Sequence, residues 1–381
     1  MNIRDAFSAN TIAINRTEVA SNRVPYLGVG FFPAKKKMGL DLKWIKTHKG
    51  LPVSLMPSNF DSRSTIRSRS GFKMEKTEMA FFRESMLVTE QDEQEMMRVS
   101  DTTDPYAQDV LRHIYDDANA LIDAADVVPE RMRMQLLAPV DGHPKISIEA
   151  DGVTYEYDYD PNNEYSVNNF KKISGSTDQW SDTENSDPIK DTMDAQDACE
   201  AYSGTRPTIM LISKNTMNLL KKNKKITAYV LAQNITANVI MTDARVKEVF
   251  NSELGIRIVV YSKQYKKEDG TTEKFYPDGF ATLLPEGTLG NTWYGTTPEE
   301  RTLMGSEEAD VKIINTGVTV SVTTTNDPAN TKTTVSEIVL PSYERMDETY
   351  VIYAYGNEDE LSVMSEQPTE KVLDESKSTK K

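Results

Sequence analysis

The sequence has few of the residues that catalytic and metal sites use most. Its single cysteine, Cys199, excludes an intrachain disulfide and a thiolate metal cluster. No Gly-x-x-x-x-Gly-Lys phosphate loop is present, and Gly28-Val29-Gly30 lacks the further glycine and helix of a dinucleotide loop. Three histidines lack the spacing of a metal motif, and we expect each to be structural or exposed: His48, His113 and His143. These absences predict a protein that is not an enzyme and has no cofactor or metal.

Long apolar runs are also absent. No stretch approaches the roughly 20 apolar residues that span a membrane. The N-terminus lacks the apolar core of a signal peptide, so we expect the chain to be cytoplasmic when made. Hydrophobic residues make up 38% of the 381 residues and charged residues 27%. This composition predicts an extended protein of two or three units, because single cores stop growing at roughly 250–300 residues.

Charge is distributed unevenly along the chain. The net charge is −15, which argues against a general nucleic-acid binder because affinity for phosphate is mostly cationic. Residues 35–76, called the basic segment here, carry eleven Lys and Arg against three Asp and Glu, a net charge of +8. Residues 1–76 carry +9, so the remaining chain carries −24. Opposite charge on two parts of one chain suits head-to-tail contact between copies.

The basic segment has the pattern of a β ribbon. Apolar residues alternate with small or polar ones from Met38 to Trp44, which predicts a half-buried strand. A two-stranded ribbon is marginally stable alone in water, so we expect it to lie on another surface. The residues predicted to contact a neighbouring copy are Lys35, Lys36, Lys37, Lys43, Trp44, Lys46, Arg63, Arg67, Arg69 and Lys73.

The Ser/Arg run at residues 62–70 allows two interpretations. As a nucleic-acid-binding module it offers cations but no aromatic residue inside the run for base stacking, with Phe60 and Phe72 only at its edges. As a ribbon lying on an acidic neighbour it needs no ligand. An enzyme that uses carboxylates alone is a third possibility. Two acidic loops, residues 158–160 and 182–187, could hold Ca²⁺ but lack the regular ligand spacing.

The rest of the chain mixes helices and strands. Asp104-Pro105 predicts the start of a long helix with an apolar stripe from Val110 to Ala125, and the helix is predicted to kink near Pro129 and resume to Leu137. Hairpins are predicted to turn at Asp151-Gly152 and Asp269-Gly270. Further helices are predicted after the capping residues Asp187 and Ser213, and β segments follow from residue 306. The order predicts an α+β fold.

Three stretches resemble the major capsid proteins of tailed phages of the lambda E type. The first is Tyr26-Leu27-Gly28 with Phe31-Phe32-Pro33-Ala34-Lys35-Lys36 and Gly39-Leu40-Asp41-Leu42-Lys43-Trp44-Ile45-Lys46. The second is Trp180 followed by Asp187-Pro188-Ile189. The third is Thr288-Leu289-Gly290-Asn291-Thr292 with Tyr294-Gly295-Thr296-Thr297-Pro298-Glu299. The resemblance covers about residues 20–305 and depends on order and spacing.

The resemblance implies a Hong Kong 97-type capsid fold, with an N-terminal arm, an extended β-hairpin loop (E-loop), a P-domain with a long spine helix, and an A-domain. The implied divisions are an arm at 1–35, the E-loop at 36–88, the P-domain at 89–169, the A-domain at 170–305, β segments of the P-domain or an accessory region at 306–356, and a flexible tail at 357–381.

The resemblance also implies a function and partners. The chain would assemble into hexamers and pentamers of an icosahedral phage head around double-stranded DNA, in the virion after assembly in the host cytoplasm. Its implied partners are copies of itself, a separate scaffolding protein, a portal, packaged DNA through weak non-specific contact, and a decoration protein. No membrane is implied. The alternative left open is a nucleic-acid-binding module that uses the basic segment.

Overall fold

The structure is a computed structural model that describes residues 8–10, 12–13, 25–46, 73–90, 105–150, 153–233, 240–267, 270–302, 309–326 and 329–356. Its helices are α1 Gly28–Phe31, α2 Pro105–Leu137, α3 Glu164–Asn168, α4 Pro188–Ser203, α5 Lys214–Lys222, α6 Lys224–Gln233, α7 Asp243–Leu254 and α8 Pro298–Thr302. Short 3-10 turns lie at Val140–Gly142 and Met346–Glu348.

Seventeen strands form two larger sheets and three ribbons among these residues. They are β1 Ala34–Lys36, β2 Asp41–Lys46, β3 Lys73–Glu78, β4 Ala80–Val88, β5 Lys145–Ala150, β6 Val153–Asp158, β7 Phe170–Lys172, β8 Ile209–Ser213, β9 Arg257–Tyr261, β10 Gln264–Lys266, β11 Thr272–Lys274, β12 Phe280–Leu284, β13 Asn291–Tyr294, β14 Ala309–Ile314, β15 Val318–Asn326, β16 Ala329–Ser342 and β17 Tyr350–Tyr353.

The five-stranded sheet has the order β7-β17-β12-β8-β9 and separates two cores. Side chains alternate across a strand, and here both faces are apolar. On β12, Phe280 and Leu284 join one core, whereas Ala281 and Leu283 join the other. Strands β8 and β17 alternate in the same way. Helices α4, α5 and α7 pack over the second core, so the sheet is covered on both faces.

The six-stranded sheet is built on β16, which pairs with β4 along one edge and with β15 and β13 along the other. Its outer strands are β14, beyond β15, and β1, which pairs in parallel with β13. Helix α2 packs against β16, β4 and β5. This helix is described from Pro105 and continues through Pro129 to Leu137 as one element. The predicted cap Asp104 lies outside the described residues, so the start of the helix stays a prediction.

A third core joins the N-terminal arm to helix α2. Leu121 and Ile122 of α2 pack with Ala9 and Ile12 of the arm against apolar residues of β14, β15 and β16. The backbone N–H of Ala9 donates to Asp310 Oδ2 at 2.6 Å. The described part of the arm therefore belongs to the body of this subunit.

Short polar signals fix the helix ends as the sequence predicts. The Asp187 carboxylate accepts from the backbone N–H of Lys190 at the start of α4, and Gly204 ends that helix with a φ of 76°. The Ser213 hydroxyl accepts from the N–H of Thr216 at the start of α5. These are N-cap bonds and a left-handed C-cap, which glycine adopts without a steric penalty. Both predicted hairpins are confirmed as β5–β6 and β10–β11.

A buried ionic network joins α1, α2 and both larger sheets. Glu130 and Arg133 of α2 are 0% and 2% exposed and pair at 3.1 Å. Glu130 also accepts from the N–H of Gly28 at 3.0 Å and from the Tyr261 hydroxyl at 2.7 Å. Arg133 donates from Nε to Thr292 Oγ1 at 2.9 Å. A Cβ at Gly28 would lie 2.4 Å from Glu130, so this close approach requires glycine.

The predicted strand from Met38 to Trp44 is wrong in its first half. The strand begins at Asp41, and residues 38–40 form a bend in which Met38 is 91% exposed and Leu40 49% exposed. The reason is Gly39, whose φ of 89° lies in the left-handed region and interrupts an extended strand. The predicted strand therefore agrees with the structure only from Asp41 onward. Within it, Leu42 is fully buried, as the alternation predicts.

Candidate assembly interface

The lysines at the start of the basic segment contact their own chain. Lys35 and Lys36 lie in β1, on the edge of the six-stranded sheet. The Lys35 ammonium lies 5.5 Å from the ring centroid of Trp293, and the Lys36 Nζ lies 2.6 Å from Glu300 Oε2. Lys37 follows β1 and its backbone N–H donates to the Tyr294 carbonyl. Their contact with a neighbouring copy stays a prediction.

The strands β2 and β3 form an antiparallel hairpin, called the ribbon here. Its backbone register places Lys43 opposite Lys76 and Lys46 opposite Lys73. Like charges directly opposite each other in an antiparallel pair destabilise it. Trp44 lies between the two lysine pairs on β2. Because the two lysines of each pair lie opposite each other, an acidic surface is favoured as the partner of the ribbon.

The arginines of the Ser/Arg run, Arg63, Arg67 and Arg69, lie outside the described residues. Residues 47–72 join the two strands of the ribbon, so the sequence alone supports a role for these arginines. The predicted Ser/Arg contact stays a prediction.

A short helix holds both strands that lead into and out of the ribbon. Strand β1 precedes the ribbon in the chain and β4 follows it. Side chains of α8 contact both strands. Glu300 of α8 pairs with Lys36 of β1. Glu299 accepts from Arg83 Nη1 of β4 at 3.0 Å and from the Ser336 hydroxyl of β16 at 2.8 Å. Glu299 is the last residue of the third stretch of the resemblance and Glu300 follows it, but the sequence gives no sign of this role.

The ribbon leaves the body where three backbones meet closely. The N–H of Met79, between β3 and β4, donates to the carbonyl of Leu40 at 3.0 Å. Gly295 lies beside this crossing, and an added Cβ would lie 3.0 Å from the Gly39 oxygen and 2.6 Å from an Ile338 methyl. Only glycine fits such an approach without displacement of backbone.

Acidic side chains are available on the surface of helix α2. Asp116 and Asp117 are exposed there, and Asp123 one to two turns further on is half-buried. The sequence predicts a polar side of this helix opposite the apolar stripe, and these residues are consistent with it. An acidic helical face of this kind is complementary in charge to the basic segment, which carries +8.

The acidic loops act as structural elements. The Asp160 carboxylate accepts from the backbone N–H groups of Glu164 and Tyr165 and so caps α3. Asp182 accepts from the N–H groups of Glu184 and Asn185. No group of three or more Asp, Glu, His or Cys side chains placed for a metal ion occurs in the part of the chain that the structure describes. The Ca²⁺ interpretation finds no support in these hydrogen bonds.

Cys199 is fully buried in α4, and its Sγ lies 3.8 Å from the hydroxyl oxygen of Ser203. Burial, opposed by the hydrogen bond to Ser203 and aided by nearby carboxylates, raises the pKa of its thiol to about 11. The thiol therefore stays protonated near neutral pH, unlike a nucleophilic thiolate. Cys199 is therefore a buried structural side chain.

An open groove of about 490 Å³ lies between β7 and α4 and is lined by charged side chains. Lys171 pairs with Asp191 at 3.2 Å, and Lys225 with Asp187 at 3.2 Å. The indole N–H of Trp180 donates to Asp191 as well. These charged side chains of the groove are therefore paired with one another within the chain.

No helix among the described residues is long and apolar enough to cross a membrane.

Two solved structures share this fold over nearly their whole length. One is assigned as the capsid protein of a prophage of E. coli CFT073: it is 17% identical, with a TM-score of 0.56, and the match covers 92% of this chain and 99% of that one. The other is a phage-related protein from Bordetella bronchiseptica RB50: it is 15% identical, with a TM-score of 0.53, and the match covers 90% and 98%. No curated protein sequence matches the chain significantly.

These features define the class as a Hong Kong 97-type capsid subunit, with an α+β fold, a long helix beside a sheet and a projecting ribbon. Residues 13–350 match the model of the family described as phage major capsid protein E, and the chain belongs to that family. It is therefore a structural subunit that assembles with copies of itself into the capsid shell of the virion, and it is not an enzyme. The nucleic-acid-binding alternative has no support.

Proposed function

We propose that the subunits form the hexamers and pentamers of an icosahedral head that encloses double-stranded DNA, and that the basic segment is the E-loop that joins neighbours. The ribbon of one copy lies on the acidic face of α2 in the next copy. The observation that carries this proposal is the register of Lys43 opposite Lys76 and Lys46 opposite Lys73. Lysines at opposite positions of a strand pair destabilise it, and a carboxylate surface on that side of the hairpin relieves the repulsion. Residues 43 and 46 are three positions apart, so the two pairs lie on opposite faces and one partner surface meets one pair.

The charge on the two surfaces supports the pairing. The basic segment carries +8, whereas residues 77–381 carry −24. Asp116 and Asp117 offer exposed carboxylates on α2. Complementary potentials speed encounter and fix register between partners. The contact adds apolar area where Trp44 of the ribbon reaches the neighbour.

Further partners complete the proposed head. A scaffolding protein on a separate chain guides curvature, a portal occupies one vertex, and a decoration protein binds the outer surface. Packaged DNA contacts the shell weakly and without sequence specificity, because a subunit with a net charge of −15 repels phosphate over most of its surface. The basic segment is used between subunits in this scheme.

Charge reversal tests the contact. The triple variant Arg63→Glu, Arg67→Glu and Arg69→Glu should stay folded but form no shells, because the Ser/Arg run at residues 62–70 changes from +3 to −3 and then repels the acidic partner. Negative-stain electron microscopy and size-exclusion chromatography measure this. The matched control is Lys222→Glu, Lys247→Glu and Lys266→Glu, which changes the net charge equally at exposed positions far along the chain from the basic segment. The control should form shells.

A compensating variant identifies the partner surface. Adding Asp116→Arg and Asp117→Arg to the arginine variant should restore shells, since the Ser/Arg run and this part of α2 then both have reversed charge. Shells of normal size from the arginine variant alone would show that the basic segment does not join the subunits.

A further inference from the structure

The short helix α8 is fixed to the six-stranded sheet by a threonine. The Thr297 hydroxyl accepts from the backbone N–H of Glu300 at 3.2 Å and donates to the Thr319 hydroxyl of β15 at 3.0 Å. Thr297 is fully buried. The helix therefore belongs to the rigid body of the subunit, and the two glutamates that follow its first residue have a defined place.

Glu299 is held as a carboxylate. Its side chain is 7% exposed, and burial would raise its pKa, but hydrogen bonds from its own backbone N–H, from Ser336 and from Arg83 lower the pKa on balance. Charge-assisted hydrogen bonds of this kind are about twice as strong as neutral ones. Arg83, on β4, has a side chain that is itself 53% exposed and contacts a carboxylate that solvent barely reaches.

Glu300 ties the other side of the ribbon. It pairs with Lys36 at 2.6 Å, and the two side chains are 16% and 30% exposed. Lys36 is the last residue of β1, and the bend at residues 38–40 follows at once. Consecutive residues of α8 therefore hold the strand before the ribbon and the strand after it.

Two attachment points constrain a hairpin more than one does. Backbone pairing of β1 with β13 and of β4 with β16 holds these strands in the sheet, and the two ion pairs add one side-chain contact on each side of the base of the ribbon. The two strands of the ribbon are each roughly 20 Å long, because six residues rise about 3.3 Å each. A rotation of about 15° at the base would move the end of the ribbon by roughly 5 Å, which is more than a hydrogen bond or ion pair tolerates.

We propose that Glu299 and Glu300 are positioning residues for assembly, which set the direction in which the ribbon leaves the body. The inference depends on the proposed function, in which the ribbon joins neighbouring copies. The glutamates touch no neighbour in this scheme; they act through Lys36 and Arg83. Gly295, beside the crossing of the two strands, allows the close approach that this arrangement needs.

Spin-label distances in the unassembled subunit test the proposal. One label is placed at Lys46→Cys in the ribbon and one at Lys247→Cys on α7, with Cys199→Ala in every variant. The parent should give one narrow distance distribution between the labels. The double variant Glu299→Gln and Glu300→Gln should shift to a broad distribution and lose shells of normal size. The control Glu286→Gln, at an exposed glutamate, should keep the narrow distribution.

A charge swap gives a second measurement if the glutamine variant folds poorly. Lys36→Glu alone should broaden the distribution, and Lys36→Glu with Glu300→Lys should restore it. An unchanged distribution in both the glutamine and the lysine variants would overturn the proposal. Because the distances are measured on single subunits, this outcome is distinguishable from failure of the docking contact, which the arginine reversal measures in shells.

Discussion

The body of the subunit and its ribbon are built on opposite principles. In the five-stranded sheet, the central strands β17, β12 and β8 have a neighbour on each side and place apolar side chains in a core on each face. In the ribbon, two strands have only each other among the described residues, and two lysine pairs face one another across them. Burial of apolar area stabilises the first arrangement. The second needs a partner, because a lone hairpin is marginal in water.

This difference separates stability from assembly. The residues that hold the fold lie where two or more elements meet, as Glu130 and Arg133 do between α1, α2 and both sheets. The residues predicted to hold the shell lie in a segment that contributes little to those cores. Variants in the two regions should therefore change different measurements.

The largest effect on stability is expected in the buried network. Arg133→Met leaves Glu130 as a buried carboxylate without its cation, and removal of one partner of such a pair costs about 3–5 kcal/mol. Glu130 keeps its bonds from Gly28 and Tyr261, which places the expected loss toward the lower end of that range. Denaturant unfolding of the unassembled subunit measures it.

The matched control is an arginine in an exposed cluster. Arg206 pairs with Asp197 at 2.6 Å and with Glu200 at 2.7 Å, and its side chain is 40% exposed. Arg206→Met should cost roughly 0–1 kcal/mol, because solvent screens such pairs. Equal losses at Arg133 and Arg206 would show that burial does not decide the value of an ion pair in this body.

The sequence predicts the body better than the joints between its parts. Helix starts at Asp187 and Ser213 follow from capping chemistry, and both hairpins follow from their turn residues. These signals are local, so one sequence suffices to find them. The resemblance to phage capsid proteins adds the fold class and the function, which the family match confirms.

The interruption at Gly39 and the network at Glu130 could not be predicted in the same way. Alternation from Met38 extends through a glycine that takes a positive φ, so the pattern looks like a strand where the chain bends. Glu130 meets Gly28 and Tyr261, residues 102 and 131 positions away. Glu299 and Arg83 are 216 positions apart. Such contacts depend on the whole fold and have no local signal.

A pH-dependent effect of intermediate size is expected at Glu337, which sharpens the description of the body. It lies on β16, is 1% exposed, and neither carboxyl oxygen has a hydrogen-bond partner. Burial raises its pKa well above the ordinary 4.5, the carboxylate of Asp126 adds to this rise, and Arg133 opposes it. The folded state therefore keeps the proton over a pH range in which the unfolded chain releases it.

The direction in which stability changes with pH follows from the difference in protons bound by the folded and unfolded states. Because the folded state binds more protons above pH 4.5, the free energy of unfolding falls as the pH rises from there toward the folded pKa. Glu337→Gln removes this dependence, so the variant should gain stability relative to the parent as the pH rises. Unfolding midpoints at a series of pH values measure the gap. Glu299→Gln should show the opposite trend, since the lowered pKa of Glu299 stabilises the fold above its ordinary value and that stability is lost as the pH falls.

The smallest effect on the body is expected from removal of the ribbon itself. Leu42 pairs with Thr77 at its base, and Leu42 and Met79 are buried in the main core. Replacing residues 43–76 with an Asn-Gly turn closes the hairpin at that pair and keeps both buried side chains. The midpoint of thermal unfolding should stay that of the parent, whereas shells should be absent by electron microscopy. A much lower midpoint would mean that the ribbon stabilises its own subunit, and the division between a self-sufficient body and a partner-dependent ribbon would be wrong.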